Sequence, residues 1–539
     1  MKKMKKLVVL LLAAMAFTGS SIAALPARPK LVVGIMVDQM RWDYLYRFQD
    51  RYCKGGFNRL LNEGFSCENT MLSHVPTVTA VGHTGVYTGT VPSIHGIAGN
   101  NFMLNGKKVY CTDDASVRPV GTQSKAGLMS PRNLRVNTLG DELRLATNNR
   151  SKVIGVALKD RASILPAGHN PNGAFWFDDA TGNFITSTYY MDKLPEWVDK
   201  FNKERKSDAY LSQPWNTLYP INTYRQSTAD DTHYEGGVVN GVKATLPLDL
   251  PALSKKYGYK ILRSTPFGND ITIDMAMAAV DGEQLGSDDD TDLLAVSCSS
   301  TDVIGHQVGI RAVEIEDTYL RLDKKIAELL SFLDKKVGKG NYLVFLTADH
   351  AGMDNHQYLL DQRIPAGIWS EKDTKNILDN ALKAKYPQVG GLVKTVMNYQ
   401  VFFNTDSITK AGLDFSEVKD FVVETLKQQP DVLYACDMEK TSTASIPSEI
   451  KERIINGFCR GRSGDVQVIT KPCFYNGWEK GTTHGMWNNY DAHIPLLFMG
   501  WGIKHGATTK RCNMPDIAPT VAALLHIQAP NGCIGEPIF

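Results

Sequence analysis

The chain of 539 residues has little of what a membrane protein or a nucleic-acid binder needs. Its N-terminal apolar run, Leu7 to Phe17, is eleven residues long, whereas a spanning helix takes roughly 20. An excess of one charge is missing too: 59 basic side chains face 57 acidic ones, a formal +2. Four of the basic ones, Lys2, Lys3, Lys5 and Lys6, lie in the first six residues, and without them the balance is −2. A nucleic-acid partner calls for a basic face and is therefore not expected. No two cysteines stand in the Cys-x-x-Cys spacing of a structural zinc site. Repeats and low-complexity tracts are absent, which excludes collagen-like and disordered classes. What is present, 43% hydrophobic, 22% charged and 9% aromatic residues, is enough for a large globular core.

The N-terminal lysines, the apolar run and the small-residue stretch Thr18 to Ala24 have the layout of a secretory signal peptide over residues 1–23. No cysteine lies near the cleavage region, so no lipid or other stable membrane anchor is expected. The mature chain, 24–539, is expected to be periplasmic or secreted. Its nine cysteines are an odd number, which leaves at least one free thiol. Cys298, inside a strand-like apolar run, is the candidate for a buried one.

Five short apolar runs read as buried parallel strands: Leu31 to Val37, Val153 to Leu158, Leu293 to Ser297, Tyr342 to Leu346 and Ile494 to Met499. Arg311 to Val337 and Asp516 to Leu525 read as helices. Strands alternating with helices predict an α/β fold, a mostly parallel central sheet flanked by helices. The stretches near 100–150, 166–260 and 355–480 read as insertions that build a cap over a single catalytic domain.

In open α/β sheets, chemistry gathers at the carboxyl ends of the strands. Asp38 follows the first run. Asp302 and His306 follow the third, at a spacing that lets both side chains share one face of a helical turn. Asp349 and His350 follow the fourth, and His484 precedes the fifth. One such residue is usually a turn or cap residue; this many beyond strand-like runs point to a metal centre. Carboxylates mixed with imidazoles suit zinc better than the all-oxygen shells of calcium or magnesium. The set exceeds what one zinc needs, so two ions are expected. Thr79, after Pro76 and an extended stretch, is expected at a helix N-terminus, where free N–H groups favour anions. A threonine there is often only an N-cap.

With those pieces in place, the sequence resembles the alkaline phosphatase superfamily, and within it the exported, phosphate-irrepressible alkaline phosphatases of the PafA type. The resemblance rests on Val37-Asp38-Gln39, Pro76 to His83, His95 to Asn100 and Lys159-Asp160-Arg161. It continues through Thr301-Asp302 with His306, Ala348-Asp349-His350, Thr483-His484-Gly485 and Asp516 to Thr520. It implies two Zn²⁺ per chain, one held by Asp302, His306 and His484. Asp38, Asp349, His350 and the nucleophile Thr79 would hold the other. It further implies Asn100 as a donor to the phosphoryl oxygens and Lys159 with Arg161 as a phosphate clamp. Taken alone, Lys159-Asp160-Arg161 would read as a solvated turn.

The implied activity is hydrolysis of small-molecule phosphate monoesters by a monomeric enzyme, through a phosphothreonine. Sulfatases need a Cys/Ser-x-Pro-x-Arg motif, which is absent. Nucleotide pyrophosphatase/phosphodiesterases share the threonine, the asparagine and the ligands, and are the alternative. The Lys159/Arg161 pair favours the dianionic monoester. A degenerate scaffold kept for binding would have lost ligands or nucleophile, and none is lost.

Overall fold

A computed structural model describes residues 27–239 and 241–539, so the expected signal peptide lies outside the described residues. The central sheet has eleven strands. Nine of them matter here: β1 (Leu31–Val37), β2 (Phe65–Met71), β3 (Val153–Ala157), β4 (Gly173–Asp178), β5 (Asn183–Ser187), β6 (Asp292–Cys298), β7 (Tyr342–Thr347), β8 (Leu496–Gly500) and β9 (Gly506–Asn513). Across the sheet they run β2–β8–β7–β1–β6–β3–β4–β5, with β9 paired to β2.

The middle of the sheet, β7–β1–β6–β3–β4, is parallel throughout. Every residue of β1, β3, β6 and β7 is buried. Such strands are covered on both faces, which is why they read as continuous rather than alternating apolar runs. The flanks differ from expectation. β8 pairs antiparallel with both β7 and β2, and β5 is antiparallel to β4. The run from Ile494 was expected to be parallel, but the chain reaches it directly from the carboxyl-end face. No crossover helix intervenes, so it can only return antiparallel.

Four helices carry or support the site: α1 (Thr79–Thr88), α2 (Asp160–Ala167), α3 (Ser300–Val308) and α4 (Val313–Leu333). α4 buries Ile315, Leu320, Leu322, Ile326, Leu329, Leu330 and Leu333 against the main core, at the three- and four-residue spacing of one helix face. Among the described residues, no helix is long and apolar enough to cross a membrane.

Within residues 393–470, Val393–Met397, Gln400–Phe403, Val466–Thr470 and Val432–Asp437 form a separate antiparallel sheet with its own apolar cluster. This region meets the segment around Asn100 through main-chain acceptors. Arg462 Nη1 donates to the Gly96 carbonyl at 2.6 Å, and Asn398 Nδ2 to the Asn101 carbonyl at 2.9 Å.

Candidate active site

Asp38 is the first residue beyond β1, and its N–H donates to the Cys298 carbonyl at the end of β6. Beyond β6 the chain enters α3, placing Asp302 in its first turn and His306 one turn on. Asp349 and His350 lie two and three residues past β7, and His484 lies on the loop that leads back to β8. All six side chains therefore meet at one end of the sheet.

They form two groups whose ligand atoms lie within 4.8 Å of one another: Asp302, His306 and His484, and Asp38, Asp302 and His350. His306 Nε2 is 3.1 Å and His484 Nε2 3.6 Å from Asp302 Oδ1. His350 Nε2 is 3.6 Å from Asp38 Oδ1 and 3.4 Å from Asp349 Oδ2, which brings Asp349 to the second group.

The donor set fits metal ions. Asp38 Oδ1, Asp349 Oδ2 and His350 Nε2 are buried with no hydrogen-bond partner among the described residues, an arrangement costly unless a cation satisfies it. Each imidazole turns Nδ1 to a main-chain carbonyl: His306 to Thr482 at 2.9 Å, His350 to Ala351 at 2.9 Å and His484 to Thr77 at 2.6 Å. That fixes the tautomer and leaves every Nε2 lone pair for a metal. Electrostatics agree. Burial and the neighbouring Asp302 and Asp349 push the Asp38 carboxyl up, while burial pushes His350 down to about 3 and His484 below the usual histidine range. Burial opposes the Asp302 anion, but His306 and Lys159 hold its carboxyl well below the ordinary value.

Thr79 is the first residue of α1, nearly fully buried, and the N-cap position belongs to Val78. Its hydroxyl is thus not the cap. Asn100 Oδ1 accepts the Ala80 N–H at 2.9 Å, which leaves its Nδ2 as the donor free to meet an anion beside Thr79. α1 approaches the segment after β7 so closely that a Cβ on Gly82 would lie 2.1 Å from the Asp349 carbonyl oxygen, so only glycine fits.

Lys159 is the N-cap of α2, and its Nζ lies 2.5 Å from Asp38 Oδ2 and 2.6 Å from Asp302 Oδ2. Burial works against this ammonium, yet Asp302 and Asp38 hold its pKa above the ordinary lysine value. Arg161, in the first turn of α2, donates from Nη1 to the Tyr110 hydroxyl at 2.9 Å and forms no ion pair among the described residues. The Tyr110 hydroxyl in turn donates to Asp160 Oδ1 at 3.1 Å. The two cations thus start from one helix turn, one on the carboxylates and one free of them.

Several supporting residues carried no assigned role in the sequence. Gln39 adopts a left-handed backbone with φ +63° directly after Asp38, a costly conformation for a residue with a side chain. From there its Nε2 donates to Asp302 Oδ1 at 2.9 Å and its N–H to Asp349 Oδ1 at 3.2 Å. A Cβ on Gly305 would lie 2.0 Å from Gln39 Oε1, so a larger residue there would push the Gln39 amide away from Asp302. Asp491 Oδ2 accepts the N–H groups of Gly485 and Met486 at 3.0 and 2.9 Å, and its carbonyl accepts the Ala351 N–H at 2.8 Å. It thereby ties the His484 loop to the His350 loop.

A family model described as type I phosphodiesterase / nucleotide pyrophosphatase matches residues 32–491. Alkaline phosphatase PafA from Elizabethkingia meningoseptica is 52% identical over 517 residues, 95% of this chain and 94% of that protein. A Myroides odoratus protein named calcium-transporting ATPase matches to the same identity and extent. The crystal structure of wild-type alkaline phosphatase PafA superimposes with a TM-score of 0.93 at 51% identity, covering 96% of this chain and 99% of that one. The chain belongs to the type I phosphodiesterase / nucleotide pyrophosphatase family of the alkaline phosphatase superfamily. Within that family it is an enzyme of the PafA alkaline phosphatase type.

Proposed function

We propose that the protein is an exported, zinc-dependent alkaline phosphatase that hydrolyses phosphate monoesters through a phosphothreonine at Thr79. The observation that carries the monoester reading is the pair of cations on the first turn of α2, with Arg161 free of any carboxylate among the described residues. A monoester presents one more negative charge on its non-bridging oxygens than a diester, and a cation pair with Lys159 buried and Arg161 half-buried is suited to it.

The Thr79 oxygen attacks phosphorus, the bond to the ester oxygen breaks, and the alcohol leaves with a proton. Water then attacks phosphorus, breaks the bond to Thr79 and releases inorganic phosphate. Two zinc ions, held by Asp302, His306 and His484 and by Asp38, Asp349, His350 and Thr79, would supply Lewis acidity at the entering and leaving oxygens. Asn100 Nδ2 and Arg161 bind non-bridging oxygens, and α1 aims its free N–H groups at the same anion. The export reading is supported by the basic, apolar and small-residue order of residues 1–23.

The family description also supports a second reading, a nucleotide pyrophosphatase/phosphodiesterase. Catalytic efficiency on one aryl phosphate monoester and its methyl diester separates the two. Under the monoesterase reading the unmodified enzyme prefers the monoester. Lys159→Ala/Arg161→Ala then lowers monoester efficiency by about 100-fold, roughly 3 kcal/mol, and narrows the preference. A preference for the diester in the unmodified enzyme would establish the second reading instead.

A further inference from the structure

Trp478 is the most exposed large apolar side chain among the described residues, at 65%, and it stands beside the metal ligands. Its ring is edge-on to His306, with centroids 6.3 Å apart and planes at 88°. Of the six ligand side chains outside Thr79, His306 is also the most exposed, at 27%. The open side of the ligand cluster and the indole therefore coincide.

The backbone around Trp478 is tethered. Asn476 N–H donates to the Tyr399 hydroxyl at 2.8 Å, and the Trp478 carbonyl accepts the Tyr475 hydroxyl at 3.2 Å. Asn355 Nδ2 donates to the carbonyls of Glu479 and Gly481 at 3.0 and 2.8 Å. A large apolar ring held in water by a fixed loop gains free energy when a flat apolar group covers it. Little ordering entropy is lost when that happens, because the loop is already placed.

The position also says which part of a substrate would do the covering. Thr79 belongs to the Asp38, Asp349 and His350 side, since His83 Nδ1 bonds the Thr79 carbonyl at 3.0 Å and lies 3.2 Å from Asp349 Oδ2. Attack and departure at phosphorus are roughly in line, so the departing group leaves on the opposite side, toward His306. That is where the indole is.

We infer that Trp478 is a stacking platform for the leaving group, selecting esters whose alcohol carries a flat ring, such as aryl phosphates and nucleoside monophosphates. This rests on the phosphate-ester reading proposed above. Stacking of this kind acts in ground and transition states alike, so it lowers KM more than it raises kcat.

The test compares the zinc-loaded unmodified enzyme with Trp478→Ala and Trp478→Phe. KM is measured for phenyl phosphate and methyl phosphate, and calorimetry gives Kd for phenylphosphonate and methylphosphonate, which are not hydrolysed. The unmodified enzyme is expected to favour the ring-bearing member of each pair. Trp478→Ala is expected to reduce that preference about five- to ten-fold, mainly through KM, with Trp478→Phe retaining most of it. An unchanged preference in Trp478→Ala, or equal weakening of both phosphonates, overturns the platform. If the unmodified enzyme prefers diesters, the monoester reading fails on its own, and the phosphonate ratio still decides the role of Trp478.

Discussion

His83 stands 3.2 Å from Asp349, Nδ1 to Oδ2, with both side chains wholly buried. The same Nδ1 bonds the Thr79 carbonyl at 3.0 Å, and Nε2 meets Ser297 Oγ at 2.8 Å. One imidazole thus couples α1 to β6 and to the segment that follows β7. His83→Ala is expected to weaken zinc affinity or kcat by about 10–100-fold, the usual cost of losing a group that orients metal ligands. Chelator competition and steady-state kinetics check this, and no change in either would assign His83 to packing alone.

Elemental analysis of the purified protein is expected to give about two zinc ions per chain. Chelation should abolish activity and Zn²⁺ restore it, whereas Ca²⁺ and Mg²⁺ should not. A single ion, or calcium in place of zinc, would contradict the two-ion centre.

Thr79→Ala should keep the fold and the bound zinc while losing at least ~10³-fold in kcat. The unmodified enzyme should transfer phosphate with net retention of configuration at phosphorus, as two displacements require. Inversion would remove the phosphothreonine.

Burial pushes the Asp491 carboxyl up to about 8, against the two N–H groups that favour its anion. In the unfolded chain it ionises near 4. Between those values the folded protein keeps a proton that the unfolded chain releases. Its contribution to stability is therefore full below about pH 4 and falls as the pH rises through about 8. Asp491→Asn keeps an amide oxygen for Gly485 and Met486 and removes the titration. Melting temperatures between pH 5 and 9 should show the unmodified protein losing ground to Asp491→Asn as pH rises. A constant difference would rule out Asp491 as the source.

Cys298 is fully buried at the end of β6 with a free thiol, and burial pushes its pKa up. It should resist a thiol reagent in the native state and react on unfolding, while the partly exposed Cys53, Cys473 and Cys533 label earlier. Mass-spectrometric mapping of the labelled peptides distinguishes these cases.

The strands β1, β3, β6 and β7 were legible because full burial on both faces leaves unbroken apolar runs with a sharp polar end. The polar ends carried the candidate ligands, so the end of the sheet where they meet was legible with the strands. The antiparallel entry of β8 was not, because an apolar run has no direction. Gln39 was hidden because its left-handed backbone follows from where Asp302 and Asp349 sit, hundreds of residues away. Tyr110 and Trp478 lie in stretches whose placement depends on long-range contacts, and no local periodicity marks either one. The separate sheet within 393–470 was folded into one expected insertion, although Val393, Val401, Val466 and Val468 carry their own apolar cluster.

The order of the candidate ligands along the chain would set a timetable for biosynthesis. Asp302 and His306 share one helix, but their third companion, His484, comes only near the end of the polypeptide, and the strand after it closes the sheet beside β7. A nascent chain stopped short of that point carries Asp38, Asp302, Asp349 and His350 but only two donors of the first group. A two-ion centre on these groups would thereby be complete only once nearly the whole chain has been made, and the metal concentration that counted would be that of the compartment where folding finishes.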